Sequence, residues 1–323
     1  MPLNYPLIFK PTFRDYIWGG RRLGTVLNKP IPDEGDYAES WEVVDHGEDQ
    51  SIVANGPEAG KTLGQLVNEF PEDLFGSKTP SATFPLLFKF LDANRDLSIQ
   101  VHPDDTQGAK LDPPDLGKTE AWYILDAEPG AKVYVGLKEG LTQEDLAKAV
   151  VEDKVIDAMH VLEPQKGDCL FIPATTVHAL GKGLLVAEIQ QASNTTFRLF
   201  DWNRVGADGK PRQLHIQESL DTIDFEKGPV QPQEPQPTSD PDIERLVTCD
   251  KFILDRWEFD DRKSIGSDRS FHIVAVLEGK VRSSHAHLDQ ALGKGSTFLV
   301  PAGCGPLPLR ALEPTVLLDM YLP

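Results

Sequence analysis

The sequence predicts a mainly β protein made of two related, barrel-like halves with a few short helices. Gly and Pro occur 26 times each in 323 residues, which is typical of a chain rich in turns. Most apolar residues fall in short runs bounded by turn residues, as in strands. The segment 166–175 also recurs at 294–303 with the same order of glycine, apolar run and Pro-Ala. This repeat indicates that one strand-turn-strand frame is used twice.

Short apolar runs predict the strands in chain order. The run 84–92 is almost entirely apolar, as expected for a strand that is buried on both faces, and Lys89 is its exception. Such a lysine usually extends into solvent at a sheet edge, and the alternative is a lysine directed into a cavity. The other predicted strands are 5–10, 39–44, 97–102, 118–125, 132–136, 169–172, 184–191 and 194–202.

The clearest helix is predicted over 142–160. Thr142 and Asp145 have the spacing of a capping box, and an apolar stripe follows from Leu146 to Met159. Shorter helices are predicted at 63–67 and after the turn at 16–22.

The repeat and one polar segment predict the domain organisation. Residues 228–242 are rich in Pro, Gln and Glu, so we expect a linker between a catalytic domain (1–227) and a second domain (243–323). With the two halves aligned, Pro306 stands at the place of His178 and Arg269 at the place of Glu120. The second half is therefore expected to be degenerate, without metal ligands.

Charge and composition limit the partners and the compartment. A net charge of −19 argues against nucleic acid and membrane surfaces as partners, because both require a basic surface. The three cysteines are far apart, which favours a reducing compartment without disulfides. No signal peptide or long apolar run is recognised, so a cytoplasmic protein is expected. An acidic surface and short strands are compatible with a monomer or weak homo-oligomer.

Polar side chains at alternating strand positions indicate a metal site. Gln100 and His102 share one strand face, although this pair alone could simply satisfy each other's hydrogen bonds. Glu120 and, after a Gly-Asp…Pro turn, His178 complete a set of four. Imidazole and carboxylate groups suit Zn²⁺, Fe²⁺, Ni²⁺ and Mn²⁺ alike, and an amide oxygen adds a weak ligand. Ligands arranged in this way are typical of a cupin, so we expect two cupin-like jelly-roll barrels.

Several motifs resemble the type I phosphomannose isomerases, in the short bacterial form. The resemblance covers about residues 6–215 and continues more loosely through the second half. It implies one Zn²⁺ per chain held at Gln100, His102, Glu120 and His178, and it places Arg198 in the active site with Lys118, Glu188 and Ser98 near the sugar phosphate. The motifs that carry it are Trp18-Gly19-Gly20, the run 97–104, Gly117-Lys118-Thr119-Glu120, Val177-His178-Ala179, and Glu188 followed by Arg198.

The activity that this resemblance implies is the interconversion of mannose 6-phosphate and fructose 6-phosphate through a cis-enediol. Arg198 could stabilise the enediolate, and either Glu188 or Lys118 could act as the base. An oxygenase-type cupin and a non-catalytic sugar-binding cupin are the alternatives.

Several residues are candidates for the phosphate and the pocket wall. Lys89, Lys118, Arg21 and Ser98 are the available phosphate donors. Trp18 could equally fill the core or line the pocket. We therefore predict Ser98, Trp18 and Lys89 as the substrate-binding residues. Glu39 and Trp41 could line the same cavity, but we interpret them as ordinary strand residues. We interpret His285 and His287 as a solvated surface pair, and residues 103–105 as the end of the ligand strand and part of the pocket rim, without a catalytic role.

Overall fold

A computed structural model of the protein describes residues 2–78, 82–206 and 209–323, and over these ranges the chain is mainly β. The strands are β1 (Phe9–Lys10), β2 (Thr12–Arg14), β3 (Glu39–Val43), β4 (Asp45–His46), β5 (Asp49–Gln50), β6 (Ile52–Val53), β7 (Leu86–Ala93), β8 (Ile99–Val101), β9 (Glu120–Ala127), β10 (Val133–Leu137), β11 (Met159–Leu162), β12 (Cys169–Ile172), β13 (His178–Leu180), β14 (Leu184–Gln191), β15 (Phe197–Phe200), β16 (Gln236–Pro237), β17 (Ile243–Thr248), β18 (Ile253–Phe259), β19 (Arg262–Ile265), β20 (His272–Ser283), β21 (Leu292–Gly293), β22 (Thr297–Val300) and β23 (Leu307–Tyr321).

The helices are short. They are α1 (Arg22–Thr25), α2 (Leu63–Glu69), α3 (Pro71–Phe75), α4 (Asp105–Gly108), α5 (Gln143–Val151), α6 (Val155–Ala158) and α7 (Ile216–Thr222), with a 3₁₀ turn at Ala302–Cys304. In the described part of the chain, none of them is long and apolar enough to cross a membrane.

Two large sheets form most of the first half, besides the two-stranded pairs β1-β6 and β4-β5. One has six strands in the order β12-β9-β14-β7-β3-β2, and the other has five in the order β11-β10-β13-β8-β15. Their inner faces share a core that includes Leu91, Trp122, Val135 and Leu180. All eight residues of β7 are buried, which confirms the strand predicted to be buried on both faces. Because β7 lies inside its sheet and not at its edge, Lys89 cannot reach solvent along an edge.

The second half repeats part of this frame. Strand β12 pairs with β9, and β22 pairs with β20 in the same way, so the repeat seen in the sequence is also a structural repeat. Gly167 and Gly295 occupy equivalent turns with φ of 96° and 84°, a conformation that favours glycine. Strands β16 to β23 form one eight-stranded sheet.

The helix predicted over 142–160 is interrupted. Thr142 and Asp145 form the expected capping box of α5, and Leu146 is buried. Asp153 then takes a left-handed conformation (φ 58°), which ends the helix, and the chain continues as α6 and as strand β11 from Met159. The predicted helix therefore contains two helices and the start of a strand.

The segment predicted as a linker is bonded to both halves. The backbone N–H groups of Val230 and Gln233 donate to carbonyls of β10 and β12, and Gln236–Pro237 pairs with β17. The two halves also share a core, in which Phe84 and Phe271 lie 4.6 Å apart between ring centroids. The division at 228–242 stays a prediction, and we expect the halves to unfold together because this core connects them.

Candidate metal centre and active site

The five-stranded sheet contributes a row of three polar side chains. Gln100 on β8 is the direct partner of His178 on β13 and of Arg198 on β15. Directly opposite residues of antiparallel strands project from the same face of the sheet. His178, Gln100 and Arg198 are therefore placed side by side, and His102 follows immediately after β8.

The six-stranded sheet contributes the facing row. Glu188 on β14 is the direct partner of Lys89 on β7 and of Trp122 on β9, and Lys89 is also the partner of Trp41 on β3. Glu120, the first residue of β9, lies two residues before Trp122 on the same face. The sequence thus brings charged groups to the inner face of a sheet whose strands are otherwise apolar.

Three of the four predicted metal ligands form a compact, buried cluster. Ligand atoms of His102, Glu120 and His178 all lie within 4.8 Å of one another. The Nε2 atom of His178 is 3.2 Å from Glu120 Oε1, and that of His102 is 3.6 Å from Glu120 Oε2. Each side chain is 1% exposed. Gln100, the fourth, is half-buried and lines the adjoining cavity.

Backbone carbonyls fix the orientation of both imidazoles. Nδ1 of His102 lies 2.8 Å from the carbonyl oxygen of Thr195, and Nδ1 of His178 lies 2.8 Å from that of Thr176. Since a carbonyl can only accept, each Nδ1 carries the proton and each Nε2 has a free lone pair directed into the cluster.

The electrostatics also favour neutral imidazoles. Burial lowers the pKa of His102 well below its usual value and that of His178 to about 4. Burial, followed by the nearby Glu188 carboxylate, raises the pKa of Glu120 to about 7. Within the described residues, His102 Nε2, His178 Nε2 and Glu120 Oε2 are buried without a hydrogen-bond partner. Unpaired buried acceptors are costly, and a divalent cation would satisfy all three at once.

A cavity of about 310 Å³ adjoins this cluster. Seven predicted site residues line it: Trp18, Lys89, Ser98, Gln100, Lys118, Glu188 and Arg198. Lys118 Nζ lies 3.3 Å from Glu120 Oε2, so this residue connects the cavity to the metal cluster. The backbone N–H of Lys118 donates to the carbonyl of Pro103, which fixes where the lysine leaves the chain.

Lys89 neutralises the acidic wall of the cavity. Its Nζ lies 3.1 Å from Glu188 Oε1 and 3.5 Å from Glu39 Oε2. Burial alone would lower the pKa of Lys89, but Glu188 and Glu39 outweigh it and the pKa is raised. Burial would raise the pKa of Glu188, but Lys89 and Lys118 outweigh it and the pKa is lowered. The lysine directed into a cavity is thus the correct alternative, and Glu188 is held as a carboxylate.

Arg198 lies at the opposite side of the cavity. Its Nη1 donates to the carbonyl of Gln213 at 2.9 Å, and its Nε lies 3.3 Å from Ser98 Oγ. The backbone N–H of Arg198 donates to Nδ1 of His215. The guanidinium therefore has donors left over that face the cavity.

Some predicted roles do not agree with the structure. Glu39, taken as an ordinary strand residue, lines the cavity, whereas Trp41 is buried and donates to Glu39. Arg21 does not line the cavity, and donates instead to the carbonyls of Pro32 and Gly35. Trp18 both packs in the core and lines the cavity.

Other predictions hold. The His285–His287 pair is partly exposed, and the His287 ring packs on Tyr5 at 4.8 Å. Residues 103–105 end the ligand strand as expected, and Asp104 also caps helix α4, which the sequence reasoning had not included.

The structure adds residues that had no predicted role. Asn194, Thr196 and Arg212 line the cavity. Asp115 accepts hydrogen bonds from Ser193 and Thr195 at 2.9 and 2.7 Å, and so holds the loop whose Thr195 carbonyl orients His102. These residues come from loops without a recognisable pattern, so only the fold brings them to the site.

Comparison with known proteins finds relatives that match almost the whole chain. Residues 7–130 match the model of the phosphomannose isomerase type I catalytic domain, and 242–311 match that of the mannose-6-phosphate isomerase cupin domain. Mannose-6-phosphate isomerase ManA of Bacillus subtilis is 36% identical over 310 residues, covering 94% of this chain and 96% of the relative. The enzyme of Streptococcus mutans is 34% identical over 302 residues, covering 92% of each.

Solved structures show the same relationship. The crystal structure of mannose 6-phosphate isomerase from Bacillus subtilis superposes with a TM-score of 0.90 at 30% identity, over 98% of this chain and 99% of that one. A zinc-bound mannose 6-phosphate isomerase shares the fold with a TM-score of 0.79 at 16% identity, over 98% of this chain and 99% of that one. The chain belongs to the type I phosphomannose isomerase (mannose-6-phosphate isomerase) family.

Proposed function

We propose that the chain interconverts mannose 6-phosphate and fructose 6-phosphate through a cis-enediol, with one Zn²⁺ held by Gln100, His102, Glu120 and His178. The observation that carries this proposal is a buried cluster of three metal-binding atoms without hydrogen-bond partners among the described residues, beside a cavity that is lined by an ionised carboxylate, Glu188, and the guanidinium of Arg198. Family membership supplies the substrate, and the site residues supply the chemistry.

The donor set fits a catalytic zinc site. Two imidazole nitrogens and one carboxylate are a common protein ligand set for Zn²⁺, and the amide oxygen of Gln100 would complete it while leaving room for a substrate oxygen. When bound, Zn²⁺ would act as a Lewis acid that polarises the sugar oxygens.

Glu188 is the residue that we propose as the base. The reaction removes a proton from C2 of the aldose and returns it to C1, so the base must be deprotonated before the reaction and must accept a proton during it. Lys89 and Lys118 keep Glu188 ionised, and Trp122 Nε1 donates to its Oε2 at 2.9 Å, which orients the carboxylate. Lys118, the rival candidate, lies against Glu120 and is better suited to donate hydrogen bonds to a substrate oxygen.

Arg198, Ser98 and Lys89 have positioning and electrostatic roles. The guanidinium of Arg198 can stabilise negative charge on an enediolate oxygen, because it keeps its positive charge at all working pH values. Ser98 Oγ and Lys89 Nζ offer further donors to the sugar phosphate, and Trp18 provides an apolar wall. In the described part of the chain, four cations line this cavity, namely Lys89, Lys118, Arg198 and Arg212, against the two carboxylates Glu39 and Glu188, so they provide an anion-binding region on a chain whose net charge is −19.

The compartment, the assembly state and the partners are proposed from the charge and composition of the chain. We propose a cytoplasmic enzyme that is a monomer or weak homo-oligomer, with a small sugar phosphate as its partner and no binding to nucleic acid. Residues 1–227 would contain the whole catalytic apparatus, and 243–323 would contribute stability.

The test is a coupled assay of fructose 6-phosphate formation from mannose 6-phosphate by purified protein. We expect turnover in the zinc-loaded protein, loss of turnover with a chelator, recovery on adding Zn²⁺, and one zinc per chain by atomic emission. Absence of turnover in folded, zinc-loaded protein would contradict the proposed function. The same assay in deuterated water separates the base candidates: Glu188→Gln should lose deuterium exchange at C2, and Lys118→Met should retain part of it.

A further inference from the structure

Three arginines that line neither the metal cluster nor the catalytic cavity form a row across neighbouring strands of the second half. Arg262 on β19 is the direct partner of Arg310 on β23, and Arg310 is in turn the direct partner of Arg282 on β20. Directly opposite residues in antiparallel strands project from one face. All three side chains therefore lie on the same face of the sheet.

This face is the outer one. The residues that alternate with the arginines, Val281, Leu309 and Ala311, are buried in the core of the second half, whereas Arg262, Arg282 and Arg310 are exposed. Adjacent strands are about 4.8 Å apart, so the three arginines span about 10 Å of sheet. Like charges directly opposite each other destabilise a sheet, so this row is unfavourable unless an anion binds there.

The three guanidinium groups also lack acidic partners. No hydrogen bond or ion pair joins any of them to another residue in the ranges 2–78, 82–206 and 209–323. The other cations of the same sheet are paired: Arg245 with Asp255, Arg256 with Glu244, Lys263 with Asp240 and Lys280 with Glu313. On a chain with 51 acidic and 32 basic residues, a row of unpaired arginines is a local exception.

A shallow cavity of about 410 Å³ lies over this row. Besides the arginines it is lined by Ser284, Leu309 and Leu312 among others, and no carboxylate contributes to its wall. Guanidinium groups bind phosphate oxygens with paired, charge-assisted hydrogen bonds, and Leu312, 42% exposed, offers apolar surface beside them.

We propose that Arg262, Arg282 and Arg310 form a second anion site, which takes a small molecule carrying one or more phosphate groups. The spacing of the row suits a diphosphate better than a single phosphate, because two adjacent phosphate groups can contact all three arginines. The site is independent of the proposed isomerase activity, since none of its residues lines the metal centre or the catalytic cavity.

Isothermal titration calorimetry of the full, metal-loaded chain with inorganic diphosphate tests the proposal. The double variant Arg282→Gln/Arg310→Gln should lose one binding event, and each single variant should weaken it by about tenfold or more. Lys280→Gln is the matched control, because it removes one exposed positive charge from β20 outside the row. Any heat that remains in the double variant belongs to the catalytic cavity and should decrease when Arg198→Gln is added to that variant.

Melting temperatures distinguish a loss of binding from misfolding of the double variant. Removing like charges should leave the melting temperature of the double variant unchanged or raised, and diphosphate should raise the melting temperature of the wild-type chain more than that of the variant. Equal titration of wild type and double variant would overturn the proposal. Binding only to a nucleic acid homopolymer, with none to diphosphate, would overturn it as well.

Discussion

Asp115 offers a test of how His102, a predicted metal ligand, is held in place. It makes no hydrogen bond to a predicted ligand, but it binds the loop whose carbonyl orients His102. Its Oδ2 atom accepts hydrogen bonds from Ser193 Oγ at 2.9 Å and Thr195 Oγ1 at 2.7 Å, and the Thr195 carbonyl accepts from His102 Nδ1 at 2.8 Å. The other oxygen, Oδ1, accepts from the backbone N–H of Leu116 and lies 3.2 Å from His46 Nε2, so the single acceptor oxygen of Asn in Asp115→Asn cannot serve both sides. We expect the 193–195 loop to loosen and the imidazole of His102 to lose its fixed orientation.

The expected loss can be estimated from the contacts. A hydrogen bond to a charged acceptor is worth about 1.5–3 kcal/mol, and part of that energy serves to hold the loop. Changing a partner that orients a metal-binding histidine typically weakens metal binding by about 10- to 100-fold. This factor corresponds to about 1.4–2.7 kcal/mol, so the two magnitudes agree.

Competition with a coloured zinc chelator measures the effect directly. Asp104→Asn is the matched control: it removes the same charge from the same β8–β9 connection, but Asp104 lies before α4, which it caps, and makes no hydrogen bond to residues 193–195. Asparagine also caps helices well, so this control should fold and bind zinc normally. If Asp115→Asn is folded and competes for zinc as well as wild type does, the argument that the loop fixes His102 is refuted.

Three further predictions concern other parts of the chain. Glu120→Gln should lose most zinc by atomic emission, because two imidazoles and a neutral amide bind Zn²⁺ weakly; normal zinc content would exclude Glu120 as a ligand. Arg198→Ala should retain zinc while losing turnover, with Arg198→Lys only partly restoring it; loss of metal in Arg198→Ala would contradict its role. In the second half, His272 is buried between Asp268 and Asp319, at 2.9 and 2.8 Å. Burial opposes its charge, but the two carboxylates outweigh this and raise its pKa to about 10. The raised pKa contributes stability that is complete below the unfolded pKa of about 6.5 and is lost as the pH rises through 10. Asp319→Asn should therefore cost about 3–5 kcal/mol in urea unfolding near pH 6.5, and less near pH 10; a difference that does not depend on pH would refute the assignment.

Much of the fold could be predicted because its signals are local. A fully apolar run such as 86–93 identifies a buried strand, and the repeated segments 166–175 and 294–303 form equivalent strands in the two halves. The helix at 142–160 was only partly correct, because its apolar spacing does not reveal the left-handed Asp153 that ends α5. The segment 228–242 has the composition of a linker, but its backbone bonds to Val135 and Cys169 depend on the folded sheets.

The candidate site, like the fold, could be predicted only where the signal is local. Side chains at alternating strand positions, such as Gln100 and His102, could be assigned to one face from the sequence. The burial of Lys89 could not be predicted from its own strand. A lysine on a central strand is buried only where neighbouring carboxylates compensate its charge, and here Glu39 and Glu188 come from the strands on either side. Asp115 and Arg212 had no signal at all, since loops bring them to the site.

The proposed ligands come from both layers of the first half: Gln100 and His178 lie on the five-stranded sheet, and Glu120 lies on the six-stranded one. A metal ion bound to all of them would join the two layers in the manner of a cross-link. Because the ion binds only the folded chain, each tenfold excess over its dissociation constant would add about 1.4 kcal/mol to the free energy of unfolding. The lifetime of this enzyme in a cell would then depend on the supply of metal as well as on its own sequence.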